Sequence, residues 1–137
     1  MAFWLYKSEP DVFSWDDLVK AGKAGTEWTG VRNYTARNHM RAMKKGDRGF
    51  YYHSGGEKAV VGIVEVVKGA HPDSTDDTGQ WEGVDVRAVE KLKEPVTLAA
   101  VKADKELAEM ALVRFSRLSV QPVTEAEWKA VCKMGGL

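Results

Sequence analysis

The turn Ser54-Gly55-Gly56-Glu57 is the strongest constraint on how this chain folds. It separates Gly49–His53, an aromatic run, from Ala59–Val67, a run of Val and Ile interrupted by Gly62. Two β-prone runs joined by a glycine turn read as a hairpin. Because an isolated hairpin is marginal in water, the rest of the chain must supply further strands and a face to bury. With 137 residues, 44% of them hydrophobic and 29% charged, the chain has the material for one domain over residues 1–137.

Periodicity places the remaining elements. Phe3–Lys7 reads as a first strand, with Trp4, Tyr6 and Ser8 on one side and Phe3, Leu5 and Lys7 on the other. Ser14-Trp15-Asp16-Asp17 has the form of a helix cap, Gly22 of its stop, and Gly22–Gly30 of a loop. Ala36, Met40 and Met43 make one apolar helical stripe, opposite a polar face of Tyr34, Arg37, Asn38 and Arg41. Gly46-Asp47 turns the chain into the hairpin. Beyond it, His71–Gly83 lacks periodicity and reads as a solvated acidic loop, and Val84–Val89 as a strand. Thr97 is a cap, Glu106–Met110 a short helix, and Ser116–Val123 an edge strand because Pro122 lacks an N–H. Thr124-Glu125-Ala126-Glu127 is a capping box that opens a last helix, with Trp128 and Val131 facing inward. The expected fold class is α+β: a mixed or antiparallel β-barrel flanked by short helices.

Several classes of chemistry find no support. Cys132 is the single cysteine and can form no internal disulfide. Apolar runs such as Ala59–Ile63 and Ala99–Val101 fall far short of the ~20 residues a membrane helix needs. The first residues lack the layout of an export signal, so the expected location is cytoplasmic, or nuclear in a eukaryote. No phosphate-binding glycine loop is present, and His39, His53 and His71 have no nucleophile motif around them. The cluster of His71 with Asp73, Asp76 and Asp77 reads as solvated charge rather than a cation site, so neither metal nor cofactor is assigned and no enzymatic activity is expected.

Charge is balanced in total, twenty basic against twenty acidic residues, but uneven along the chain. Arg32, Arg37, Arg41, Lys44, Lys45 and Arg48 face only Asp47 in their stretch, whereas His71–Asp85 holds acids and no Lys or Arg. One positive and one negative face are expected. Trp28, in a loop, reads two ways: as a plug for one end of the barrel, or as a surface on which a planar ligand stacks.

Taken in order, Lys7-Ser8-Glu9-Pro10, Trp28-Thr29-Gly30-Val31-Arg32-Asn33-Tyr34-Thr35-Ala36-Arg37-Asn38, Gly46-Asp47, Tyr52-His53-Ser54, Val61-Gly62-Ile63 and Ser116-Arg117-Leu118-Ser119-Val120-Gln121-Pro122-Val123 resemble the EVE domain family, from Phe3 to about Val131. The resemblance implies a PUA-like barrel and a non-enzymatic module that recognises a modified base, a modified cytosine in DNA or a modified base in RNA. Such a module flips the nucleotide into an aromatic and polar pocket. The alternative is a pocket for a free nucleoside or another small molecule on the same fold.

Carried over by that resemblance, Trp28 is the stacking wall, Ser8 and Glu9 read the base edge, and Thr29 and Asn33 add polar contacts, with Asn33 equally suited to cap the helix. His53 and Ser54 fall at the rim, although a structural histidine fits His53 as well, and Trp81 is placed opposite Trp28. Lys7, Arg32, Tyr34, Arg37, Asn38, Arg41, Arg117 and Ser119 are the candidates for the nucleic-acid backbone, and Gln121 braces. The expected partner is nucleic acid carrying a modified base; a nuclease or other effector, and the oligomeric state, are left open.

Overall fold

Strand β1, Phe3–Ser8, buries side chains on both of its faces and so lies inside a sheet. It runs parallel to β3 (Arg48–His53) and antiparallel to β6 (Val120–Val123). Strand β3 forms the expected hairpin with β4 (Ala59–Pro72), which pairs in turn with β5 (Glu82–Thr97), and β5 carries the two-residue β2 (Thr26–Glu27). The computed structural model describes residues 1–137, and its six strands are ordered β2-β5-β4-β3-β1-β6 in one mixed sheet.

This corrects the closed barrel. The end strands β2 and β6 do not pair with each other. Both are too short to bridge the gap, at two and four residues, and β6 contains Pro122, which has no N–H to donate. The α+β class itself holds.

Five α-helices surround the sheet. α1 (Trp15–Lys20) begins at a complete capping box on Ser14, and α5 (Glu125–Met134) at one on Thr124. α2 (Tyr34–Ala42) is capped by Asn33, whose side chain accepts from the Ala36 N–H, and it buries Ala36 and Met40 as the periodicity requires. α3 (Leu98–Ala103) starts at Thr97. The single helix expected over Glu106–Met110 is instead a 3₁₀ turn at Lys105–Leu107 followed by α4, Ala111–Arg114. No helix is long and apolar enough to cross a membrane.

The sheet separates two cores. One contains Trp4, Tyr6, Trp15, Trp28 and Tyr51 with Met40, Met43 and several valines; the other contains Leu5, Phe50, Val60, Ile63, Leu92 and Val131. Trp128 stacks on Phe3 and Phe50 over the second, at ring separations of 4.4 and 4.1 Å. Polar atoms buried in the first are satisfied: Trp4 Nε1 donates to Asp47 at 3.1 Å, and Asp47 also accepts from the Lys44 N–H at 3.0 Å.

Candidate functional site

Two loops at one end of the sheet face each other across a cleft of about 490 Å³. The first follows β1. Its backbone turns tightly about one carbonyl, since the Val12 and Phe13 N–H groups both donate to Glu9 O, at 3.0 and 2.9 Å. Ser8 Oγ and the Tyr51 hydroxyl then both donate to Phe13 O, at 2.9 and 2.6 Å. These bonds fix the loop and leave the Glu9 carboxylate, exposed and without an intramolecular partner, at the cleft.

The second loop runs from β2 to Arg32. It closes tightly on β5: a Cβ at Gly83 would collide with the Trp28 carbonyl, and one at Gly25, whose φ is +72°, with the Val86 carbonyl. The Trp28 N–H donates to Val84 O at 2.7 Å. Asp73 reaches in from the acidic segment and accepts from the Gly30 N–H at 2.8 Å and from Arg32 at 3.1 Å. Burial by itself would raise the Asp73 pKa, but the Thr75 hydroxyl and N–H, the Gly30 N–H and Arg32 outweigh it and hold this carboxyl at about 2. Glu27 secures the same segment by accepting from the Ser74 N–H at 3.0 Å and from its hydroxyl, and it lies 3.7 Å from His71.

Trp28 is 9% exposed, held edge-on by Tyr6 and Tyr51 at 5.5 and 5.7 Å, and borders the cleft. Burial pushes the Tyr51 phenol up to about 12, and that of Tyr6 far above the usual phenol range, so both supports stay neutral. Ser8, Glu9 and Thr29 join Trp28 at the cleft, as do Lys7, Arg32 and Ser119 from the set expected to meet the backbone. Burial, with nearby Lys58, lowers the Lys7 pKa, and its ammonium donates to Ser116 O at 2.7 Å.

Other expectations are corrected. Trp81 does not face Trp28 across the cleft; it stacks on Tyr34 at 4.9 Å. His53 is structural, accepting from the Trp15 N–H at 3.1 Å, and Ser54 lines a separate pocket of about 110 Å³ with Lys7 and Lys58. Asn33 caps α2, in keeping with the second of its two readings, and borders a different groove. The acidic loop is not merely solvated charge, and β4 and β5 extend into its two ends. Asp73 is buried, and Asp76 accepts from the Thr78 hydroxyl and the Trp81 N–H. No three His, Cys, Asp or Glu side chains converge on a point that would suit a metal ion.

The positive and negative faces turn out to be docked together. Arg32 pairs with Asp73, Arg37 donates to Gln80 O at 2.9 Å, and Arg41 pairs with Glu82 at 2.5 Å. The Arg37 guanidinium also lies over the rings of Tyr34 and Trp81, at 4.8 and 5.5 Å. Asn38 remains exposed on α2. Arg117 is exposed and makes no ion pair, while Gln121 braces as expected, its amide donating to Phe115 O and Leu118 O at 3.0 and 2.9 Å. The sequence reading missed Val12, Phe13, Thr26, Glu27, Gly30 and Val31 in the lining. Of these, Gly30 and Val31 directly follow Trp28 and Thr29 in the sequence, the one signal that marks them.

The model of the EVE domain matches residues 2–134. Human thymocyte nuclear protein 1 is 36% identical across 96% of this chain and 72% of its own length. A crystal structure of an Agrobacterium tumefaciens protein, 56% identical, superposes with a TM-score of 0.98 over 100% of this chain and 94% of that one. Human THYN1 protein, crystallised in complex with 5-methylcytosine-containing DNA, is 36% identical and covers 100% of this chain and 99% of that one with a TM-score of 0.92. A YTH domain of Zygosaccharomyces rouxii, 16% identical over 99% of this chain and 85% of that one, shares the fold at a TM-score of 0.60. The family match and the likeness across 96% of this chain agree: this chain belongs to the EVE domain family.

Proposed function

We propose that this protein is a non-enzymatic reader of a modified nucleobase, with a 5-modified cytosine in DNA as the leading ligand and a modified base in RNA as the other member of the class. The observation that carries this reading is the cleft, where a rigidly held indole meets unpartnered polar groups. Trp28 offers a planar apolar surface, Glu9 an acceptor with no intramolecular partner, and Thr29 an exposed hydroxyl. A cytosine edge presents an N4 amino donor that suits a carboxylate acceptor. Stacking one base contributes about 1–3 kcal/mol, enough for a flipped nucleotide to dwell there. The human relative in complex with 5-methylcytosine DNA supports the same ligand class. The cleft suits binding rather than nucleophilic chemistry: the Ser8 hydroxyl is engaged with a carbonyl, and no histidine lines it.

The test is fluorescence anisotropy against matched DNA and RNA oligonucleotides, each with one plain, methylated or hydroxymethylated base. One modification binds about tenfold tighter than the plain base, and Glu9→Ala weakens binding of that oligonucleotide about tenfold, in line with the loss of a charged hydrogen bond. Equal binding to every oligonucleotide would overturn the reading. The second reading, a pocket for a free nucleoside, draws support from the engagement of Arg32, Arg37 and Arg41 within the molecule. It predicts full affinity for the free modified nucleoside with no gain from an oligonucleotide.

A further inference from the structure

A second concavity, of about 580 Å³, lies between α2 and the turn that joins α4 to β6. It adjoins the cleft at two backbone steps: Arg32 lines the cleft and Asn33 the groove, and Ser119 lines the cleft and Leu118 the groove. No acidic side chain lines it, whereas the cleft has Glu9 and Glu27. At its rim stands Phe115, 57% exposed, next to the unpaired Arg117.

An exposed phenylalanine on a loose loop would mean little, but this turn is anchored. The buried Gln121 amide donates to the carbonyls of Phe115 and Leu118, and the Leu118 N–H donates to Phe115 O at 3.1 Å. Lys7, itself a cleft residue, holds the Ser116 carbonyl at 2.7 Å. The chain thus anchors the backbone that carries an aromatic ring and a free guanidinium beside the cleft, in a groove lined by no acidic side chain. A ring, a cation and a track leading from the cleft match the parts of one nucleotide: a base to stack and a phosphate to neutralise.

We propose that this groove receives the nucleotide adjacent to the flipped base on the same strand, with Phe115 stacking on its base and Arg117 on its phosphate. The proposal rests on the reader function of the cleft. It makes Arg117 the principal phosphate contact, in place of the α2 arginines that the acidic segment occupies.

The probes are 5-methyl-2′-deoxycytidine and a single-stranded pentadeoxynucleotide with one central 5-methylcytosine, titrated calorimetrically into the whole chain. Wild type binds the pentamer about tenfold more tightly than the nucleoside. Phe115→Ala removes most of that gain and Phe115→Tyr keeps it, while Arg117→Ala weakens pentamer binding and lowers its salt slope by about one. All three variants bind the nucleoside as wild type does. The groove is refuted if Phe115→Ala and Arg117→Ala bind the pentamer at wild-type strength, or if they weaken nucleoside and pentamer alike. If wild type does not distinguish either methylated probe from its unmethylated counterpart, the reader function itself fails and the groove falls with it.

Discussion

The two cores on either side of the sheet are built for different ends. The core under the cleft is aromatic and crossed by side-chain hydrogen bonds: Trp4 to Asp47, Tyr51 to Phe13 O, and Tyr6 to Met43 Sδ at 3.0 Å. The opposite core, around Leu5, Phe50, Ile63 and Val131, is mostly aliphatic, with Phe50 and Tyr52 among its members and Trp128 stacked over it, and it rests on apolar burial and ring packing. Hydrogen bonds have direction and apolar burial does not, so the first core can hold a ring such as Trp28 at a defined angle. The second contributes free energy without dictating orientation. Stability and recognition are therefore separable by mutation.

The largest expected effect tests the aliphatic side. Leu5→Ala, at a fully buried position on a central strand, costs about 2–5 kcal/mol in urea denaturation. Binding measured where the variant remains folded is unchanged, and a loss of modified-base preference would break the division between the cores. Next is Asp73→Ala, which releases the Gly30 N–H and Arg32 and so loosens the second cleft loop, at a cost of about 2 kcal/mol in stability together with weaker binding. The same carboxylate gives a pH signature. Its folded pKa, about 2, lies below the ordinary value of 3.8, so its contribution is present above that ordinary value and is lost as pH falls toward 2. Acid titration followed by circular dichroism should show this loss in wild type and not in Asp73→Ala.

Glu9→Gln sharpens the comparison from the recognition side: affinity for the modified base drops about tenfold while the melting temperature stays put, since this carboxylate supports nothing in the fold. The smallest effect is at His71, held by Asp85 at 2.8 Å. Burial depresses its pKa, but the Asp85 bond, the Pro72 carbonyl and the Asp85 charge together raise it above the ordinary histidine value. Its contribution is full below pH ~6.5 and disappears as pH rises through the raised pKa, by well under 1 kcal/mol for so partly solvated a pair. Thermal melts of His71→Asn against wild type across that range would detect it.

Local signals made much of this fold legible. The hairpin, the caps at Ser14, Asn33, Thr97 and Thr124, and the two-sided burial of β1 all follow from patterns a few residues long. What escaped has a physical cause. The far half of β5, Glu90–Thr97, is largely charged and has Pro95 within it, so it carries little alternation even though Leu92 and Val96 are buried. β2 is too short to have a period. The cleft joins residues near position 9 to residues near position 28, and only the family resemblance linked Ser8 and Glu9 to Trp28 and Thr29. Least visible was the use of charge: nothing local to Arg32, Arg37 or Arg41 reveals that a segment some forty residues away takes up all three.

The placement of β1 also sets the order in which the molecule can assemble. Its neighbours are β3, reached only after some forty intervening residues, and β6, whose register joins Phe3 to Val123. During synthesis the β3–β4–β5 meander can close while β1 still lacks one edge, and that edge stays open until nearly the whole chain has emerged. Such long-range closure is slow, and a strand carrying Phe3, Trp4, Leu5 and Tyr6 with an unpaired edge is prone to capture by other chains in the interval. Pulse-labelling hydrogen exchange should accordingly find β4 and β5 protected first, with β1 and β6 gaining protection together in a later phase.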